Sequence, residues 1–144
     1  MEELKRKEGI ILDASEILTQ HKIFAVVGVS ENKEKYGYEI FETLIDSGYK
    51  VFPINPKYES IEGHKCHPSL KDLPEKPEVV VTVVPPPVTE KVVEACAELK
   101  IPIVWMPPGS WSDLALRKCR ESGLESLHDV CIVFAVKSLL ESGK

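Results

Sequence analysis

Short apolar runs rich in β-branched residues alternate along the chain with amphipathic stretches of helical period, and this alternation limits the fold more than any other feature. "KIFAVVGV", "YKVFPIN", "EVVVTVV" and "IPIVWM" are continuous, as expected of strands buried on both faces of a parallel sheet, and "LESLHDV" is a weaker fifth member. Between them, "YGYEIFETLIDSG" sets Ile40, Phe41, Leu44 and Ile45 on one helical face, with Gly48 at the stop. "VTEKVVEACAELK" does the same with Val88, Val92, Cys96 and Leu99, and "SWSDLALRKCRESG" offers Ser110 or Ser112 as N-cap and Gly123 as terminator. Ile10, Ala14, Ile17 and Leu18 predict a leading helix within residues 1–20. The expected fold is α/β: a doubly wound, Rossmann-like parallel sheet of about five strands with helices on both faces. The irregular stretch 56–77 is expected to wrap an edge of that sheet.

A chain of 144 residues has the size of one domain, so residues 1–144 are expected to form a single unit. The net charge of -5 argues against a general binder of nucleic acid or membrane surfaces and leaves room only for a local anion site. "MEELKRKEG" is dense in charge where a secretory signal needs an apolar core, and no run approaches a membrane span, so a cytoplasmic location is expected. Cys66, Cys96, Cys119 and Cys131 form no CxxC pair, which argues against a zinc site of that spacing and against a disulfide framework. His64, Cys66 and His67 in "GHKCH" are read as structural or exposed, and no metal is expected.

Open parallel sheets bind ligands beyond the C-terminal ends of their strands, which makes the strand ends the informative positions. After the first strand come Gly28, Val29 and Ser30, a polar loop "ENKEK", and then Tyr36 and Gly37 opening a helix. A dinucleotide fingerprint beginning at Gly28 needs glycine at positions 30 and 33, where this chain has Ser30 and Lys33. What survives is the minimum of a phosphate site: a glycine that admits a ligand to the backbone, a hydroxyl and amide at Ser30, a helix N-terminus, and the cations Lys33 and Lys35. The same residues also fit a plain turn with a solvated loop. Gly28 is expected to exclude a side chain for the ligand's sake, with the fold itself tolerating Gly28→Val.

At the second strand end, where an NAD enzyme normally carries an acidic residue, the chain has Asn55, Pro56 and Lys57. A cation there favours a phosphorylated ribose, as in NADP or coenzyme A, although Lys57 also fits an ordinary loop lysine. Strand three runs into "VVPPPV" and strand four into "WMPPGS", so prolines stiffen both loops at the mouth of the expected cleft. Helix initiation at Pro86 or Pro87 and a turn at Pro107 and Pro108 would explain part of this.

The blocks "VVGVSENKEKYGYEIFETLIDSGYKVFPINPKYESIEGHKCHPSL", "VVTVVPPPVTEKVVEACAELKIPIVWMPPG" and "HDVCI" resemble, in order and from about residue 22 to residue 134, the small stand-alone CoA-binding domain proteins. Those are relatives of the N-terminal domain of the succinyl-CoA synthetase α subunit. The resemblance implies coenzyme A as ligand, with its phosphates on Gly28, Val29, Ser30, Lys35 and Tyr36 beside Gly37. It also implies that Lys57, next to Asn55 and Pro56, meets the 3′-phosphate, that Val84, Pro85 and Val88 border the nucleotide, and that Met106, Pro107, Pro108 and Gly109 follow the pantetheine arm. The family often has a polar residue near position 107, and Pro107 departs from that pattern. Cys131 in "DVCI" falls where the family keeps a cysteine close to the CoA thiol.

A ligase reaction needs a nucleotide-binding partner and a phosphorylatable histidine on a second domain, so the expected function is CoA binding without chemistry of its own. The alternatives are an NADP- or other nucleotide-dependent enzyme and a subunit of an acyl-CoA ligase. A homo-oligomer or a partner enzyme is compatible with the sequence. A phosphoacceptor receiver fails because the first and third strands end in Val29-Ser30 and Pro85-Pro86 rather than in clustered acids.

Overall fold

A computed structural model describes residues 13–142. Helix α1 (Ala14–Gln20) leads into β1 (Ile23–Val27), α2 (Tyr36–Asp46) and β2 (Lys50–Ile54). A short hairpin of β3 (Ser60–Ile61) and β4 (His64–Lys65) and a 3-10 turn (Leu70–Asp72) precede β5 (Val79–Thr82). The chain then runs through α3 (Pro86–Leu99), β6 (Ile103–Met106), α4 (Asp113–Glu121), β7 (Glu125–His128) and α5 (Ile132–Ser142). The main sheet has five strands in the order β2-β1-β5-β6-β7, all paired in parallel. This is the expected α/β, Rossmann-like architecture, and the strand order reverses between β1 and β5, where such sheets open a crevice.

Alternate residues of each central strand feed two separate cores. Phe24, Val26, Val79, Val81, Ile103 and Trp105 face one side, where Ile17, Ile40, Leu44 and Ile132 from α1, α2 and α5 cover them. Ala25, Val80, Val104 and Met106 face the other, under Val93 and Cys96 of α3 and Ala115 and Cys119 of α4. Pro53 cannot donate to a ladder, which suits β2 to the sheet edge it occupies. Beyond that edge the stretch 56–77 folds back: His67 N–H donates to Pro53 O at 3.0 Å and Asn55 N–H to His67 O at 2.9 Å. The stretch thus wraps the edge as expected, but it also carries the hairpin, whose two-residue strands are too short to show as a run. His64 and His67 pack edge-on against Phe41 and Phe52.

Two elements depart from the sequence reading. On α3 the buried face is Thr89, Val93 and Cys96, one residue removed from the expected stripe except at Cys96, while Val88 is 42% exposed. Two apolar stripes about 100° apart run along this helix, and periodicity alone cannot tell which meets the sheet. Helix α5 was not expected at all, although Ile132, Val133 and Val136 have helical spacing and are buried. Ser112, rather than Ser110, caps α4 by accepting from Ala115 N–H at 3.0 Å. Of the leading helix, Ile10 lies outside the described residues.

The exit of β1 is held by close backbone contacts. Gly28 has φ +102, and a Cβ built on it would lie 2.2 Å from the Val83 carbonyl oxygen. A Cβ on Gly37 would lie 2.5 Å from the Gly28 carbonyl oxygen. The expectation that the fold tolerates a side chain at Gly28 is therefore corrected: the backbone of Val83, just beyond β5, occupies the space. At the opposite end, the Glu78 carboxylate accepts from Lys22 N–H at 2.8 Å and Ile23 N–H at 3.3 Å, and these bonds, with His21 nearby, hold its pKa below the usual carboxylate value.

Two outcomes follow for stability. Gly28→Val should lose at least about 3 kcal/mol, through clash and left-handed strain together, and a thermal melt that keeps the wild-type midpoint would contradict this close contact. Because the folded-state pKa of Glu78 is lowered, its contribution is complete at neutral pH and disappears as pH falls through the folded value. Glu78→Gln should cost about 1 kcal/mol at pH 7, discounted for partial exposure, and the difference from wild type should shrink below about pH 4 in denaturant titrations.

Candidate functional site

The loop from Gly28 to Gly37 is ordered by its own polar groups. Gly28 N–H donates to Ile54 O at 2.9 Å, Ser30 Oγ accepts from Asn32 N–H at 3.0 Å, and Asn32 Oδ1 accepts from Glu34 N–H at 2.9 Å. Lys35 stands at the N-cap of α2 with no side chain closing the helix end. The first amides of α2 therefore face the loop without a cap, which is the arrangement that favours an anion. Asn55 ties the second strand end to the first: its Nδ2 donates to Val29 O at 2.8 Å while its Oδ1 accepts from Lys57 N–H at 2.9 Å.

The expected site residues fall into three groups along one rim of the sheet. Gly28, Asn55, Pro56, Val84 and Val88 line a groove of about 620 Å³ at the strand-order reversal. Val84 and Pro85 meet Pro107, Pro108 and Gly109 around a second hollow of about 380 Å³ between the β5 and β6 exits. Tyr36 and Cys131 face each other beside the first turn of α2. Burial pushes the Tyr36 phenol well above its ordinary pKa, and the neighbouring Cys131 thiol adds to this. Its Oη is buried without a well-formed hydrogen bond.

Other expected residues contribute differently from their side-chain chemistry. Val29 and Met106 are fully buried, so their side chains serve the core. Lys35 and Lys57 are exposed and line neither hollow. Pro85 is the N-cap of α3, and Pro86 and Pro87 form its first turn, so helix initiation accounts for those two prolines. Gly37 is placed by packing, since its missing side chain lets α2 rest on Gly28.

The sequence reading did not single out Thr82, and it took Ser110 only as a possible cap. Both are buried, their hydroxyls lie 3.1 Å apart, and Ser110 Oγ donates to Pro107 O at 2.9 Å, so Thr82 donates to Ser110. This pair lines the smaller hollow beside Pro107. A hydroxyl at the end of an otherwise apolar strand was the available signal. Among the described residues no three His, Cys, Asp or Glu side chains converge as metal ligands, and no helix is long and apolar enough to cross a membrane.

Comparison with known proteins places the chain in a family. A model of the CoA binding domain matches residues 22–137. An ADP-forming acetate–CoA ligase of Methanocaldococcus jannaschii is 42% identical over 77 residues, 54% of this chain but 11% of the ligase, so the chain is similar to a small part of that protein. The uncharacterized protein YneT of Bacillus subtilis is 28% identical over 85% of this chain and 91% of its own length. Among solved structures, a hypothetical protein from Pyrococcus horikoshii superposes with a TM-score of 0.85 at 37% identity, covering 89% of this chain and 90% of that one. Since the family model spans both sheet halves and every rim loop described above, the chain belongs to the CoA binding domain family.

Proposed function

We propose that the protein binds coenzyme A across the C-terminal rim of the sheet and carries out no chemistry on it alone. The observation that carries this reading is the convergence of the Gly28 loop, the uncapped start of α2 and the 620 Å³ groove at the β1/β5 reversal, in a chain of the CoA binding domain family. The diphosphate lies over the amides of Gly28 to Ser30 and of the first α2 turn, with Lys35 adding charge. The adenosine enters the upper groove against Pro56, Val84 and Val88, with the 3′-phosphate towards Lys57. The pantetheine arm passes the prolines of the smaller hollow and ends near Cys131. The identity with a segment of an ADP-forming acetate–CoA ligase supports a second reading, in which the module presents CoA to a partner that performs ligation.

Among the described residues no carboxylate pairs with Lys57, so its charge is available to a phosphate. Isothermal titration calorimetry should give CoA about tenfold tighter binding than dephospho-CoA, and Lys57→Ala should remove most of that ratio. Equal affinities for wild type would remove Lys57 from the site, and no binding of either ligand would overturn the CoA reading itself.

Cys131 is half-buried, whereas Cys66, Cys96 and Cys119 are buried. Burial pushes the thiols of Cys96 and Cys119 up to about 12, which leaves them poor nucleophiles at neutral pH. With CoA disulfide as the oxidant, the Cys131 thiolate attacks one sulfur, forms a protein–CoA mixed disulfide and releases one CoA thiolate. Intact-mass measurement should find one adduct, reversed by dithiothreitol and absent in Cys131→Ser. An adduct mapping to Cys66 would send the pantetheine arm along another path.

A further inference from the structure

The groove extends well below the rim. From Val88 to Leu99 its α3 wall spans roughly 16 Å at 1.5 Å per residue, and Val88, Val92, Ala95 and Leu99 form that wall. Leu70 and Ile54 line it from the 3-10 turn and from β2. In a doubly wound sheet a crossover helix normally follows the second strand and covers this part of the face. Here the crossover from β2 to β5 is the hairpin and a single 3-10 turn, so among the described residues no α-helix lies beside the second apolar stripe of α3, which meets only that turn. The lower lining holds few polar groups: Ser69, the cations Lys71 and Lys91, and Glu98, which leave the charged side chains with an excess of one positive charge. Among the described residues no aromatic ring lines the groove, and its walls below the rim are mainly branched aliphatic.

We propose that the lower groove is a binding compartment for an unbranched aliphatic carboxylate, with the chain along Val92, Ala95 and Leu99 and the head group drawn to Lys91 and Lys71. A linear chain fits the aliphatic wall of Val92, Ala95 and Leu99, which offers no edge partner to a nucleobase. The positive excess selects an anionic head over a cationic one. This site extends beyond the CoA site and does not depend on it.

Isothermal titration calorimetry with dodecanoate, butyrate and adenosine, on wild type and variants, tests the compartment. Dodecanoate should bind at least about a hundredfold more tightly than butyrate, because each buried methylene adds to affinity. Ala95→Trp, which fills the slot from a half-buried helix position, should weaken dodecanoate at least about tenfold. The smaller change Ala95→Gln should weaken it less, which guards against a folding defect, and both variants are checked by thermal melts. The double variant Lys71→Ala, Lys91→Ala should also weaken dodecanoate, by about threefold or more, while leaving dodecanol unchanged. Absence of dodecanoate binding, or binding indifferent to Ala95→Trp, overturns the proposal. It is equally overturned if adenosine displaces dodecanoate and loses affinity to the same extent in Ala95→Trp, since the groove is then only a nucleoside seat. Failure of CoA to bind while dodecanoate binds as stated would leave this compartment standing and remove the CoA reading.

Discussion

Two missing side chains hold the rim together. Gly28 sits against the Val83 carbonyl and Gly37 against the Gly28 carbonyl, so backbone from the β5 exit, the β1 exit and the first turn of α2 meet at distances that no Cβ allows. This contact fixes where the uncapped α2 amides point and where the groove begins. Asn55 adds β2 to the same knot through its bond to Val29 O. Four separate segments therefore reach one rim with little freedom left, and a ligand spanning them meets a surface whose ordering cost was met during folding.

The strands were legible because four of the five parallel strands are apolar on both faces, a pattern that an amphipathic helix of this length does not produce. Helix faces were less legible. α3 has two apolar stripes, and the one chosen from the sequence proved mainly to be the groove wall, with only Cys96 shared by the buried face. α5 begins at the last residue of the "DVCI" block, and its periodicity was present in Ile132, Val133 and Val136 but was not used. The β3–β4 hairpin has two residues per strand, below the length at which alternation can be counted.

For the candidate site, the sequence located positions better than chemistry. Gly28 was recognised as a place needing no side chain, but the reason lies in Val83, more than fifty residues away, and no local pattern reports a neighbour across a sheet. Met106 and Val29 stand at strand ends, where a motif places them, yet their side chains point into the two cores. The buried Thr82–Ser110 pair escaped notice because its partners are 28 residues apart and each hydroxyl looks ordinary in its own stretch.

The charge balance explains why the anion site proposed here would rest mainly on backbone. A protein with a net charge of -5 repels a polyanion at long range, but at physiological ionic strength that field decays over about 8 Å. Inside that distance the exposed cations Lys33, Lys35 and Lys57 are themselves screened and interspersed with Glu31 and Glu34, so their net pull is small. Amides at a helix start behave differently: they are fixed in direction and carry no mobile side chain to immobilise. The arrangement of Gly28, Gly37 and the α2 terminus thus concentrates the attraction for phosphate where charge counting would not find it. On the proposed reading, the lysines outside that terminus are left to distinguish one anionic ligand from another.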